Sequence, residues 1–288
     1  MPTSIAIKDI QFFVRNVRTR MPFRYGTATV RAAPMLHVSM DVELATGSVA
    51  SGYAADVLPP KWFDKDPDKS YEENIQDLVW GAQTAASIYQ DIASTPGVAF
   101  DIWRLAYSAM LQRADEHGVN HLTGGHGSSL MERALIDGLG NATGMSYHQM
   151  LQANLPGIDL GALHRQLKGV TPAEIIAATP LGDLHVRHCV GLSDPIRTAD
   201  IEDAERLDDG LPQSLEEYIE AHGISYFKIK VCGNADADLE RLRCIARLFE
   251  NWARPFHVSL DGNEQYSDID SLIGMLEQMV AVPVLRPL

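Results

Sequence analysis

A chain of 288 residues with 45% hydrophobic and 22% charged residues has material for a sizeable core and length for more than one domain. Its formal charge of −14 sets the average surface against phosphate backbones, and no Lys/Arg run interleaved with aromatics overrides it, which excludes nucleic acid as an expected partner. No segment reaches the roughly 20 unbroken apolar residues of a membrane span, and Met1–Phe13 lacks the plan of a secretory signal, so no membrane partner and a cytoplasmic location are expected.

Leu36, Val38, Met40, Val42 and Leu44 alternate with His37, Ser39, Asp41 and Glu43, the period of a strand with one buried face. Ala45-Thr46-Gly47 supplies turn chemistry before Val49–Tyr53 resumes an extended pattern, so the opening reads as a small antiparallel meander. From about Tyr71 the period becomes helical, with Ile102, Leu105, Ala106, Ala109 and Met110 on one stripe and Gly118 placed as a C-cap. Ser129 and Glu132 have the spacing of a capping box, which predicts a helix from Ser129 toward Gly144. Strands followed by helices make residues 1–154 an α+β domain.

Pro156, Gly157, Gly161, Gly169, Pro172, Pro180 and Gly182 punctuate residues 155–183 as a connecting segment. Strand and helix then alternate over 184–288: extended His185–Leu192, helix Ser214–His222 closed by Gly223, strand Tyr226–Val231, helix Asp238–Glu250, strand His257–Leu260 and helix Ile269–Met279. Pro283–Leu288 reads as the approach to a fourth strand. Such alternation predicts a parallel sheet or barrel, but a complete eight-stranded barrel needs roughly 250 residues. The expected architecture is therefore the α+β domain followed by an incomplete (β/α) TIM-type barrel of about three βα units.

In Tyr226–Val231 the alternation puts Lys228 and Lys230 on one strand face and Phe227, Ile229 and Val231 on the other. In a barrel the lysine face looks inward, and crowding of two ammonium groups is expected to depress at least one lysine pKa toward that of a general base. Asp261 follows at the end of the next strand in Ser-Leu-Asp-Gly-Asn-Glu, where a carboxylate oxygen suits a hard cation such as Mg2+ and Asn263 can hydrogen-bond beside it.

Other features read more simply. His117 and His121 flank Gly118 without the His-Glu-x-x-His order of a zinc site, Gly124–Gly127 lacks the Lys-Ser/Thr of a phosphate loop and reads as a flexible turn, and Cys189, Cys232 and Cys244 read as buried free thiols. Taken singly, Lys-x-Lys is a common solvated strand face and Asp-Gly-Asn a common turn.

Taken together, Lys-x-Lys on one strand and Asp-x-Asn at the end of the next resemble the mandelate racemase/muconate lactonizing enzyme branch of the enolase superfamily. The run Pro22–Gly26, the strand Leu36–Leu44 and the helix containing Ser129–Gly140 are similar to that family's N-terminal capping domain. The resemblance implies Lys230 as the base that removes the proton α to a carboxylate, Lys228 as stabiliser of carboxylate or enolate charge, Asp261 as first Mg2+ ligand with Asn263 in support, and Arg24 and Tyr25 on a substrate-facing loop. The implied substrate is a small carboxylate, and the implied reaction is racemisation, epimerisation, cycloisomerisation or dehydration of a sugar acid; a homo-oligomer stays open. The family takes two further acidic metal ligands and a second acid/base from later strands, beyond Leu288. The expectation is an incomplete site, inactive alone and weak or empty in Mg2+, with a non-catalytic remnant or binding scaffold as the alternative.

Overall fold

The computed structural model describes residues 2–26, 28–252 and 254–288, and its chain forms two compact units. One comprises Met1–Arg18 with Ala32–Leu181, the other Thr19–Arg31 with Gly182–Leu288.

The first unit is built on an antiparallel sheet. Strands β1 (Ser4–Tyr25), β2 (Ala28–Leu44), β3 (Val49–Val57) and β4 (Gly97–Val98) take the order β3-β2-β1-β4, with β1 counted in this unit up to Arg18 and β2 from Ala32. The predicted turn at Ala45–Gly47 closes β2 onto β3, with Leu36 opposite Asp56 and Val42 opposite Ala50. The alternation in β2 has the expected effect: Leu36, Val38, Met40 and Val42 are buried. Against that face pack α1 (Tyr71–Ile92), α2 (Ala99–His117) and α3 (His121–Thr143), contributing Leu78, Tyr89, Ile102, Met110, Met131 and Leu135 to one core. Short helices α4 (Tyr147–Gln152), α5 (Leu160–Leu163) and α6 (Pro172–Ile175) follow. Local chemistry sets the ends. Ser70 and Glu73 form a capping box on α1, a device worth about 1 kcal/mol. Gly118 ends α2 in the left-handed region at φ 76°, as its position predicted.

Two sequence expectations fail in α3. The helix starts not at Ser129 but at His121, where the Asn120 side chain accepts a hydrogen bond from Thr123 N at 2.9 Å. Consequently Gly124–Gly127 is helix rather than turn. Tertiary packing overrides propensity here: a Cβ on Gly127 would lie 2.2 Å from the carbonyl oxygen of Gly81, so glycine is what lets α3 and α1 touch backbone to backbone. At the end of α2 His117 stacks on Trp80 at 4.0 Å, and His121, at the start of α3, bonds Asp115 at 2.8 Å.

The second unit holds β5 (Arg187–Val190), α7 (Leu215–His222), β6 (Tyr226–Lys230), α8 (Ala235–Glu250), β7 (His257–Asp261) and α9 (Ile269–Ala281). The three strands form a parallel sheet in the order β5-β6-β7. Val190, Phe227 and Ile229 bury one face against Ile219, Leu242, Ile245, Phe249 and Met275. Helix α7 begins under a capping box of Ser214 and Glu217 and ends at Gly223 in the left-handed region, as predicted. Helix α8 begins three residues earlier than expected, because Asn234 caps it by accepting from Ala237 N. Pro283–Leu285, within the segment read as the approach to a fourth strand, is a 3-10 turn that places Leu285 in the core of this unit. All three cysteines are free but half-buried rather than buried. Among the described residues no helix is long and apolar enough to cross a membrane.

Candidate active site

Parallel pairing sets the site. Lys228 lies in register with Cys189 on β5 and Ser259 on β7, and Lys230 with Asp261, so these side chains share the face opposite the core. Lys230 is only 1% exposed, while about a quarter of the side chains of Lys228 and Asp261, 26% each, meets solvent. Both ammonium groups reach the same carboxylate oxygen: Asp261 Oδ2 is 2.9 Å from Lys228 Nζ and 2.8 Å from Lys230 Nζ. Lys230 Nζ also donates to Asn263 Oδ1 at 2.5 Å, and Asn263 N donates to the other oxygen of Asp261 at 3.1 Å. Lys228, Lys230, Asp261 and Asn263 are thus brought together.

The shared carboxylate sets the electrostatics. Lys228 is not depressed: its hydrogen bond to Asp261 and the carboxylate's charge raise its pKa against an opposing cost of burial. Burial acts to raise Asp261, but hydrogen bonds from Lys230, Lys228 and Asn263 N outweigh it and hold the carboxyl well below the usual range. A shared counter-ion, Asp261, lies between the two lysines. Nearby, burial pushes the Cys189 thiol up, with both lysines opposing.

A support that sequence reading missed lies on α8. Asp238, 2% exposed, accepts from Cys232 N at 2.8 Å and Gly233 N at 3.0 Å, fixing the loop that leaves Lys230. Its carboxylate also takes the Tyr266 hydroxyl at 3.2 Å, tying in the loop that leaves Asp261. One turn on, Arg241 donates to the carbonyls of Gly191 at 2.6 Å and Asp194 at 2.9 Å, fixing the loop after β5. One helix face therefore braces the ends of all three strands. The loops are packed hard: Gly233 has φ 81°, and a Cβ there would sit 2.4 Å from the Gln265 carbonyl oxygen. The available signal was an aspartate and an arginine at i, i+3 in the first turns of the helix after Lys-x-Lys.

Arg24 and Tyr25 do not lie on a loop: they end β1, with Tyr25 4% exposed and Arg24 exposed. Arg24 offers its carbonyl to Leu192 N at 3.4 Å. A cation that anchors β1 is Arg20, whose guanidinium holds both oxygens of Asp209 at 2.6 Å and the carbonyls of Leu211 and Pro212. Beyond it, Gly26 lies beside Gln265, which donates to the Asn263 carbonyl at 3.1 Å.

The residues present do not fit a magnesium ion. Mg2+ requires near-octahedral oxygen ligation, whereas the Asp261 carboxylate is committed to two ammonium groups, and the described residues contain no group of three His, Cys, Asp or Glu able to hold a metal. What the arrangement can do on its own is bind a small anion beside Lys228 and exchange a proton at a lysine nitrogen.

No protein-family model matches this chain, and no curated protein matches it in sequence. Solved structures do match it in fold. A mandelate racemase/muconate lactonizing protein from Herpetosiphon aurantiacus aligns with 98% of this chain and 59% of its own at 20% identity and a TM-score of 0.50. An enolase from Bradyrhizobium, complexed with magnesium and mandelic acid, aligns with 98% of this chain and 60% of its own at 18% identity and a TM-score of 0.56. An isomerase from Streptomyces coelicolor aligns with 98% of this chain and 57% of its own at 14% identity and a TM-score of 0.51. This chain has the fold of those proteins over about three-fifths of their length, and at such identities the likeness is one of fold.

Proposed function

We propose that the chain belongs to the mandelate racemase/muconate lactonizing enzyme branch of the enolase superfamily and serves the removal of a proton α to a small carboxylate. The observation that carries this reading is the cluster of Lys228, Lys230, Asp261 and Asn263 at the ends of two adjacent parallel strands, in a fold whose solved examples include a mandelate complex. Lys230, on the buried side of the cluster, is the proton acceptor at its Nζ once its ammonium has released a proton to solvent, so that the neutral amine takes the α-proton. Lys228, kept protonated by Asp261, meets the substrate carboxylate and offsets the negative charge that grows on its oxygens as the α-carbon loses its proton. Asn263 fixes the direction of the Lys230 amine, and the Asp238 bracing keeps both strand ends in place. The reaction class, whether racemisation, epimerisation, cycloisomerisation or dehydration, depends on what the proton loss is coupled to. No step is assigned to magnesium, because the carboxylate that would bind it is already shared by the lysines.

The test is exchange of the α-proton of mandelate with solvent deuterium, followed by NMR with and without added Mg2+. Exchange that disappears in Lys230→Ala supports the assignment; exchange that is equal in both proteins sinks it. A second reading, a carboxylate-binding scaffold without catalysis, draws on the single carboxylate and its closed ion-pair cluster. Saturable mandelate binding with no exchange in the unaltered chain is the outcome that favours it.

A further inference from the structure

The first unit contains a half-enclosed cavity of about 150 Å3, walled by α2, α3, α4, α5 and the segment after α4. Phe100, Trp103, Ile136 and Tyr147 give it aromatic and apolar sides, and among the described residues Glu132 is its one charged lining residue. Phe100 and Trp103 are packed ring to ring at 5.5 Å, so their faces are held in place. The Glu132 carboxylate is drawn partly out of water, and burial pushes its pKa up against the opposing charge of Arg133. The neighbouring guanidinium is already spent: Arg133 donates to Asp56 at 2.9 Å and to the carbonyls of Ala55 and Ser129. Among the described residues nothing donates a hydrogen bond to Glu132.

A half-desolvated carboxylate without a donor, set among fixed aromatic rings, has the complement of an organic cation. An ammonium supplies the missing donor and charge, and its adjacent carbons and positive field suit the ring faces. A divalent metal is excluded by the single carboxylate, and an acid by repulsion from it. A cavity near 150 Å3 accommodates a benzene-sized body. We infer that this cavity binds a small organic ammonium, with its nitrogen on Glu132 and its apolar body against Trp103, Phe100 and Tyr147. The site is independent of the lysine cluster and selects the opposite charge, so its ligand is not the carboxylate substrate.

Benzylamine, titrated at neutral pH and read by saturation-transfer NMR and tryptophan fluorescence, is the probe, with benzyl alcohol as its uncharged counterpart. Saturable binding is expected, about tenfold tighter for the amine than for the alcohol. Glu132→Gln should remove that preference while leaving the melting profile and the weak binding of the alcohol intact, and Tyr147→Ala, at a solvent-facing wall, should weaken the amine. Equal affinity for amine and alcohol, retention of the preference in Glu132→Gln, or no saturable binding in the unaltered protein overturns the assignment. None of these outcomes depends on whether proton exchange occurs at Lys230.

Discussion

Lys230 and Asp261 stand opposite each other in register on adjacent parallel strands, and their charged ends meet at 2.8 Å with the lysine closed off from solvent. Removing one partner of a buried pair costs far more than the pair contributes, because the survivor keeps its desolvation penalty. Asp261→Ala should therefore destabilise the second unit by about 3 kcal/mol, the low end of the usual range because a quarter of Asp261 is exposed. Lys230→Met, which leaves Asp261 with Lys228 and fills the space, should cost less than half of that. Urea denaturation of the two variants checks the order; equal costs contradict the pairing.

Asp238→Asn tests the bracing of the strand ends. The amides of Cys232 and Gly233 lose a charged acceptor and should exchange hydrogen at least about tenfold faster, while amides in α3 are unchanged. Burial and the Asp238 charge together push Tyr266 up to about 12. Without the charge its pKa should fall toward 10, read by NMR titration of labelled tyrosine.

His126 is buried beside Phe63, with neither ring nitrogen hydrogen-bonded and Asp56 Oδ2 4.0 Å away. Burial lowers its pKa, Asp56 opposes and Arg133 assists. Below the unfolded value of about 6.5 the unfolded chain takes up a proton that the folded one resists, so stability is lost as pH falls below 6.5 and is indifferent to His126 above it. His126→Leu should flatten this part of the pH dependence. Melting temperatures of the two proteins from pH 8 to 5 should diverge only on the acid side; parallel curves refute the point.

Gly127→Val would force apart two helices whose backbones touch at Gly81, and a shift of that size should cost about 3 kcal/mol or more. Gly47→Val, in a turn with open space around it, supplies the contrast: it pays only for φ 83°, roughly 1–2 kcal/mol. Thermal denaturation separates the two.

The sequence was most legible where a period and a cap agreed. Strand β2, helix α2 and the Lys-x-Lys strand follow from side-chain alternation or helical stripes that a single segment carries by itself. Helix α3 was misread because its glycines answer to Gly81, a residue far away in sequence. Alternation shows two lysines on one face, but the carboxylate that raises Lys228 comes from the next strand, which no single segment reveals. Asp238 escaped notice because its work is done on backbone amides, which leave no mark in a list of side chains.

The grouping of residues 19–31 with 182–288 makes the second unit discontinuous in sequence, which bears on how the chain can be made and cut. During synthesis the hairpin segment that carries Arg20 emerges long before Asp209, so that ion pair closes only after the intervening first unit has been threaded out. A fragment beginning at Gly182 lacks the arginine and leaves Asp209, together with the Leu211 and Pro212 carbonyls, without that guanidinium. Dissection of this protein should therefore carry residues 19–31 along, for example by circular permutation, and not rely on a single cut.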